Sequence, residues 1–264
     1  MASKATETKI HPTAIVENGA EIGMGVSVGP YSVIGSGAKI GDGTQIHSHV
    51  VISGRVLIGK NNLISSFSSV GSRPQDLKYK GEDTELVIGD NNMFREYCNL
   101  SLGTDGGGGR TVIGNDNLFM VYTHVAHDCL VGNKVIAANC VALAGHAMID
   151  DGAVLGGLSA VHQFCRVGKL AMIAAGAMVT QDVVPYGMVH GDRARINGLN
   201  VVGLRRLGVK NTDLQSIKAM YHFVFDSSLT LDDALARINK EVDDSEYRRV
   251  WLDFLKDSER GLCR

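Results

Sequence analysis

Every sixth residue from Ile10 to Val70 is isoleucine or valine, eleven positions without an exception. They are Ile10, Val16, Ile22, Val28, Ile34, Ile40, Ile46, Ile52, Ile58, Ile64 and Val70. An α-helix, with its period of 3.6, does not call for a branched aliphatic at that interval, and neither does a strand, with its period of 2. A coil of three short flat sides does. Each hexad makes one side and its turn, and its aliphatic residue points into a narrow interior. Three hexads close a coil, and stacked coils pair their backbones at the usual strand spacing of about 4.8 Å.

The register returns at Ile88, Phe94 and Leu100, then resumes at Ile113 and runs to Val179 without a slip. The expected fold is an all-β left-handed parallel β-helix, a three-sided prism, over residues 1–190. A C-terminal α-helical domain is expected over 191–264. Composition agrees, since 32 glycines and 6% aromatic residues suit a narrow interior with repeated turns. Two polar stretches interrupt the hexads as inserted loops, at about 72–86 and at about 101–112. Loops that break a rigid repeat tend to carry function. Beyond Pro185 the hexads stop. Thr212, Thr230 and Asp244 or Ser245 read as N-caps of three helices, and a shorter helix is expected through Leu204 and Arg206. Their expected task is to cover the open end of the coil, which would otherwise present unpaired strand edges.

Several function classes are disfavoured. A net charge of −2 marks no nucleic-acid binder. The five cysteines form no CxxC pair, and from the polar N-terminus no signal peptide is expected. The expectation is a cytoplasmic protein with reduced, mostly packed thiols. No apolar run reaches membrane-spanning length.

Function must therefore be read from polar residues that depart from the repeat. Histidines 124, 127, 146 and 162 fall in one part of it. A lone histidine in such a repeat is usually a turn residue bonded along the stack, but four together point to a site. Residues one coil apart are vertical neighbours, so His127, Gly145 and Gln163 form one column and Asp128 and His146 the next. Acyl transfer to a hydroxyl needs a base, a group that orients it, and a donor for the developing oxyanion. His127, Asp128 and the Gly145 N–H can fill these roles. A zinc site of the γ-carbonic-anhydrase kind would use three histidines. The spacing of His124, His127 and His146 differs from that pattern, which places two ligands close together and the third far upstream. No metal is expected.

Taken together, HPTAIV (11–16), RPQDLKYKGE (73–82), THVAHDC (123–129), LAGHAMIDDGA (143–153), VHQFCRVG (161–168) and NxxGLRRxG (200–208) resemble the UDP-N-acetylglucosamine O-acyltransferases of lipid A synthesis. The resemblance covers essentially the whole chain. It implies transfer of a (R)-3-hydroxyacyl group from acyl carrier protein to the sugar 3-hydroxyl, with His127 as base and Asp128 tuning it. Gln75, Asp76, Lys78, His124, His146, His162 and Gln163 would position the substrates, and Asn200 and Arg206 would engage the nucleotide or donor end. Ala175 and Arg193 fall where the family measures acyl length. A homotrimer with active sites between subunits is implied, without a cofactor, because the thioester is already activated. Arg73, Lys78, Lys80, Arg166, Arg205 and Arg206 could form a basic rim for the acidic carrier. Leu207 departs from the family by replacing a further basic residue. The alternatives are the related N-acyltransferase acting later in the same pathway, the same chemistry on a 3-amino sugar nucleotide, a coenzyme A-dependent acetyltransferase, the zinc enzyme, and a non-enzymatic β-helix.

Overall fold

Strands of mostly two residues are too short to stand alone, and here each is held by a neighbour one coil above and one below. The computed structural model describes residues 7–226 and 228–264. Three sheets of 11, 9 and 8 strands are visited in rotation by the chain. The first face begins with Lys9–Ile10, the second with Ile15–Val16 and the third with Glu21–Ile22. All pairings within the coils are parallel, and where no insert intervenes the partners are one coil apart, as in Leu130↔Met148 and Val131↔Ile149.

The hexad aliphatics form the interior. Ile34, Ile52, Ile64, Val70, Leu100, Val125, Leu143 and Val161 are fully buried, each contributing roughly 1.5–3 kcal/mol in transfer terms. Ile10, in the first coil, is 45% exposed, because no coil lies beneath it. The glycines that follow the aliphatics are needed where coils touch. A Cβ at Gly41 would lie 2.6 Å from the Gly59 carbonyl in the coil above.

Three corners join the faces, and each stacks its own residues. At the first corner Tyr31, His49, Phe67, Tyr97 and Tyr122 adopt positive φ, and their rings sit 4.7–5.2 Å apart. At the third corner Asn62, Asn92 and Asn117 form a buried ladder. Asn62 Oδ1 accepts from the Asn92 N–H at 2.8 Å, and Asn92 Oδ1 accepts from the Asn117 N–H at 3.0 Å. Both inserted loops belong to the second corner, between Ser72 and Glu85 and between Ser101 and Arg110.

Past the last hexad, strand Gly187–His190 continues the first face and turns back as the antiparallel strand Arg195–Leu199. Helices α1 (Val201–Arg206), α2 (Asn211–Phe225), α3 (Leu231–Glu241) and α4 (Glu246–Lys256) follow. Thr230 caps α3 in a full capping box and Ser245 caps α4, as their spacing predicted. Thr212 does not cap α2. That helix begins at Asn211, with its N-cap at Lys210, two residues before Thr212, and no side-chain cap. Leu214, Ile217, Met220, Ile238, Trp251 and Phe254 pack into a second core with Val184 and Tyr186 at the end of the coil. Of the cysteines, only Cys140 is exposed, and all five are free thiols. No helix among the described residues is long and apolar enough to cross a membrane.

Val131 is 4% exposed within this column. Val131→Asp would bury an unpaired carboxylate, so the denaturation midpoint is expected to fall by more than about 4 kcal/mol equivalent. An unchanged unfolding curve would contradict the packed interior.

Candidate active site

The second corner collects the chemistry. From one end to the other it carries the loop with Gln75, Asp76 and Lys78, then the loop 102–109, then His127–Asp128, Gly145–His146, His162–Gln163 and Gln181–Asp182. Parallel pairing of the second and third faces on either side keeps these turns in vertical register.

Asp128 is the anchor of the group. Its side chain is 1% exposed and its Oδ2 lies 2.7 Å from His127 Nδ1. A carboxylate can only accept, so His127 carries its proton on Nδ1 and leaves Nε2 free as a base. Thr104 holds the same carboxylate with two donors: its N–H reaches Oδ1 at 2.7 Å and its hydroxyl reaches Oδ2 at 2.6 Å. The Asp128 N–H in turn donates to Thr111 Oγ1 at 2.8 Å. Gly107 passes so close that a Cβ there would overlap the carboxylate. His146 Nε2 stands 3.6 Å from Asp128 Oδ2, too far for a hydrogen bond, so the carboxylate serves His127.

Gly145 has a reason beyond access for a carbonyl. A Cβ there would sit 2.7 Å from His127 Cε1, so only glycine leaves the imidazole its place. Among the described hydrogen bonds the Gly145 N–H takes no partner and remains available as a donor. His146 stacks on Phe164 with centroids 4.3 Å apart. Burial pushes its ionisation below the ordinary histidine value, and His127 adds to the effect, while Asp128 and Asp76 act the other way. His124, on the outer side of the second face, meets Asn99 Oδ1 with Nδ1 at 2.8 Å, and Asn99 Nδ2 donates onward to Ser72. Burial lowers its ionisation too, helped by His127. His162 Nδ1 is within reach of both the Gln163 carbonyl and Arg260 Nη2; these need opposite tautomers, so only one is made at a time.

Other expected residues lie elsewhere. Asn200 donates to the Leu170 carbonyl at 3.0 Å and caps α1, which places it at the third corner with Arg206 following on the same helix. Ala175 lies at the first corner and is exposed. Arg193 lines a basic pocket with His162, Arg195, Arg260 and Arg264, at the far end of the same corner. Arg166 is not a free cation of a rim: it stacks 4.3 Å from the Phe254 ring and donates to that residue's carbonyl. Arg73 donates to the Tyr79 carbonyl. Sequence reasoning missed Thr104, Thr111, Asn99 and Phe164. For Thr104 the available signal was the run of four glycines after it, which marks a backbone packed against something.

Two further chemistries can be weighed. The three-imidazole set is not assembled: among the described residues the group able to converge on a metal is His127, Asp128 and His146, with ligand atoms within 4.8 Å, and His124 is outside it. Within that group the Asp128 oxygens already accept from Thr104 and lie against the His127 N–H, which suits a hydrogen-bonded pair. Cys129 is no nucleophile, because burial pushes its thiol up to about 12.

His124 and His146 are expected to titrate by NMR below the ordinary histidine value of about 6.5. Because their folded-state values are depressed, stability they leave intact above about pH 6.5 is lost as pH falls, when the unfolded chain takes up protons first. A midpoint above 6.5 for either would contradict the burial. Thr104→Val should reduce turnover about tenfold to a hundredfold with little change in substrate KM, and Thr104→Ser should restore it; equal activity of the Val variant would remove Thr104 from the site.

Comparisons with known proteins point to one family. Residues 182–263 match the family model described as UDP N-acetylglucosamine O-acyltransferase, domain 2. Residues 37–72 match bacterial transferase hexapeptide repeats. The acyl-[acyl-carrier-protein]–UDP-N-acetylglucosamine O-acyltransferase of Anaeromyxobacter sp. strain K is 51% identical over 97% of this chain and 99% of its own. That of Aliarcobacter butzleri is 49% identical over 96% and 97%. The solved UDP-N-acetylglucosamine O-acyltransferase of Moraxella catarrhalis superposes with a TM-score of 0.94 at 42% identity, covering 97% of this chain and 99% of that one. The Arabidopsis UDP-N-acetylglucosamine acyltransferase gives 0.83 at 37%, covering 97% and 100%. On identity, length and fold alike, the chain belongs to the acyl-[acyl-carrier-protein]–UDP-N-acetylglucosamine O-acyltransferase family.

Proposed function

We propose that this protein transfers a (R)-3-hydroxyacyl group from acyl carrier protein to the 3-hydroxyl of UDP-N-acetylglucosamine, the opening step of lipid A synthesis. The observation that carries the mechanism is the His127 Nδ1–Asp128 Oδ2 contact of 2.7 Å. With Nδ1–H committed to the carboxylate, Nε2 removes the proton of the sugar hydroxyl as its oxygen attacks the thioester carbonyl. The oxyanion that forms is met by the Gly145 N–H. Collapse breaks the carbon–sulfur bond, and the imidazolium returns its proton to the departing thiolate. Asp128 stabilises the imidazolium without taking its proton, as in other His–Asp pairs. Neutral His124 and His146 contribute hydrogen bonds rather than charge, with Gln75, Asp76, Lys78, His162 and Gln163 lining the same corner.

The homotrimer of this reading is supported by where the remaining residues lie. Asn200 and Arg206 belong to the third corner and His127 to the second, so a contribution from all of them to one site requires a neighbouring copy. Three prisms side by side would bring a third corner against a second corner at each junction. The left-handed sense of the coil, the division into a catalytic coil over 1–190 and a helical domain over 191–264, and a cytoplasmic location belong to the same reading. Ala175, small and exposed, leaves room for a medium-to-long tail.

The test is mass spectrometry of products from UDP-N-acetylglucosamine with a ladder of 3-hydroxyacyl carrier proteins. A monoacylated sugar nucleotide is expected, reduced by about 10²–10⁴-fold in His127→Ala. Ala175→Met should move the preferred donor to a shorter chain. Product only from the 3-amino sugar would shift the acceptor, and unimpaired His127→Ala would remove the base.

A further inference from the structure

Beside the His127–Asp128 pair, the second face carries another chain of polar side chains that ends on an imidazole. It starts at Ser72, the last residue before the first insert, whose Oγ lies 3.3 Å from the Leu100 carbonyl. Asn99 Nδ2 reaches the same Ser72 oxygen at 2.9 Å, and Asn99 Oδ1 lies 2.8 Å from His124 Nδ1. All three side chains are half-buried. Asn99 and His124 are direct partners on paired strands of successive coils.

The direction of every bond in this chain is fixed from one end. A backbone carbonyl only accepts, so the Ser72 hydroxyl gives its proton to Leu100. The Ser72 oxygen is then an acceptor, and the Asn99 group that meets it is the NH2. That leaves Oδ1 for His124. An amide oxygen also only accepts, so the imidazole proton sits on Nδ1 and the neutral ring carries a lone pair on Nε2. Burial disfavours the imidazolium, and His127, the one titratable group acting on this ring among the described residues, adds to the effect. Nε2 itself meets no protein partner among the described hydrogen bonds. Next along the face stand Ala142 and Ala160, in register with His124, and their small side chains leave the outer surface beside the ring uncrowded.

We propose that Asn99, held by Ser72, is a positioning residue of the reaction: it fixes His124 as a hydrogen-bond acceptor, so that Nε2 takes a hydroxyl or amide hydrogen of a bound substrate. The proposal rests on the acyl-transfer reading and gives one contact of that site its direction. His127 and His124, three residues apart on one coil, both present Nε2 lone pairs. One removes a proton and the other only receives a hydrogen bond. A substrate with no hydrogen to offer at that point would set two acceptors against each other, which is unfavourable in a partly buried place.

The experiment reads the ring tautomer and the kinetics of the full chain, of Asn99→Ala and of Asn99→Asp. Nitrogen NMR of the histidine rings at neutral pH should show wild-type His124 protonated on Nδ1 and bare on Nε2. Asn99→Ala should show both tautomers, with kcat/KM lower by about tenfold. Whichever KM rises, the sugar nucleotide's or the acyl donor's, identifies the substrate that brings the hydrogen. Asn99→Asp keeps the acceptor but stabilises the imidazolium. It should approach wild-type turnover at alkaline pH and lose it as pH falls, with the acid limb displaced upward by about one unit. An equal upward move of the His124 titration by NMR assigns that displacement to this ring rather than to His127. A wild-type Nε2 that carries the proton would overturn the proposal. Equal losses in both variants at every pH, with the tautomer unchanged, would leave Asn99 a packing residue only. Absence of wild-type turnover with the carrier-bound donor would count against the acyl-transfer reading, while the NMR result still decides the direction of the chain.

Discussion

Everything in this molecule depends on backbone hydrogen bonds that run from one coil to the next. Strands of two residues have no stability of their own, and helical propensity plays no part over the first two hundred residues. Each coil is held because its peptide groups are completed above and below, at 2.7–3.3 Å, as at 2.8 Å for Gly41 N to Ile58 O and Gly59 N to Ile88 O. The hexad aliphatics drive the collapse, but the ladder sets the register. Without an insert, a one-coil step is the same at every face, so the corners must superimpose. The site, the aromatic stack and the asparagine ladder are three uses of that superposition.

Corners would ordinarily be weak points. Among the described residues sixteen non-glycine residues adopt positive φ, nearly all at these turns, in a region that costs roughly 1–2 kcal/mol per L-residue. The cost is offset by what the geometry allows. At the first corner it stacks rings. At the second it turns Asp128 and His146, at φ of 61° and 62°, into positions from which imidazole and carboxylate meet. The same strained conformation thus serves packing at one edge of the prism and chemistry at another.

The prism was legible because a period of six with β-branched residues admits few other folds, and the column His127–Gly145–Gln163 followed from arithmetic alone. What stayed hidden has a common cause. Thr104 reaches Asp128 from an insert and Thr111 from the strand just after it, where the repeat count no longer says which residue faces which. Asn99 fixes His124 across a step whose length the second insert had changed. The role of Gly145 was half legible: close approach was clear from glycine, but the group approaching is the His127 ring. Thr212 misled as a cap because a threonine one residue inside the helix looks the same in sequence. Arg193 and Arg260 lie 67 positions apart, and no pattern joins them until the C-terminal segment is tied to Asp182.

The vertical column carrying His127 also behaves as a graduated scale. Separations along it come in rungs of about 4.8 Å, and the faces do not let a residue slide by a fraction of one. A chain of this kind can lengthen the gap between its base and its basic pocket by gaining a whole coil, while both ends keep their orientation. Lateral adjustments come instead from side-chain size at a fixed rung, as between alanine and something bulkier at 175. Reach is therefore quantised and width is continuous, so the two can change independently of one another.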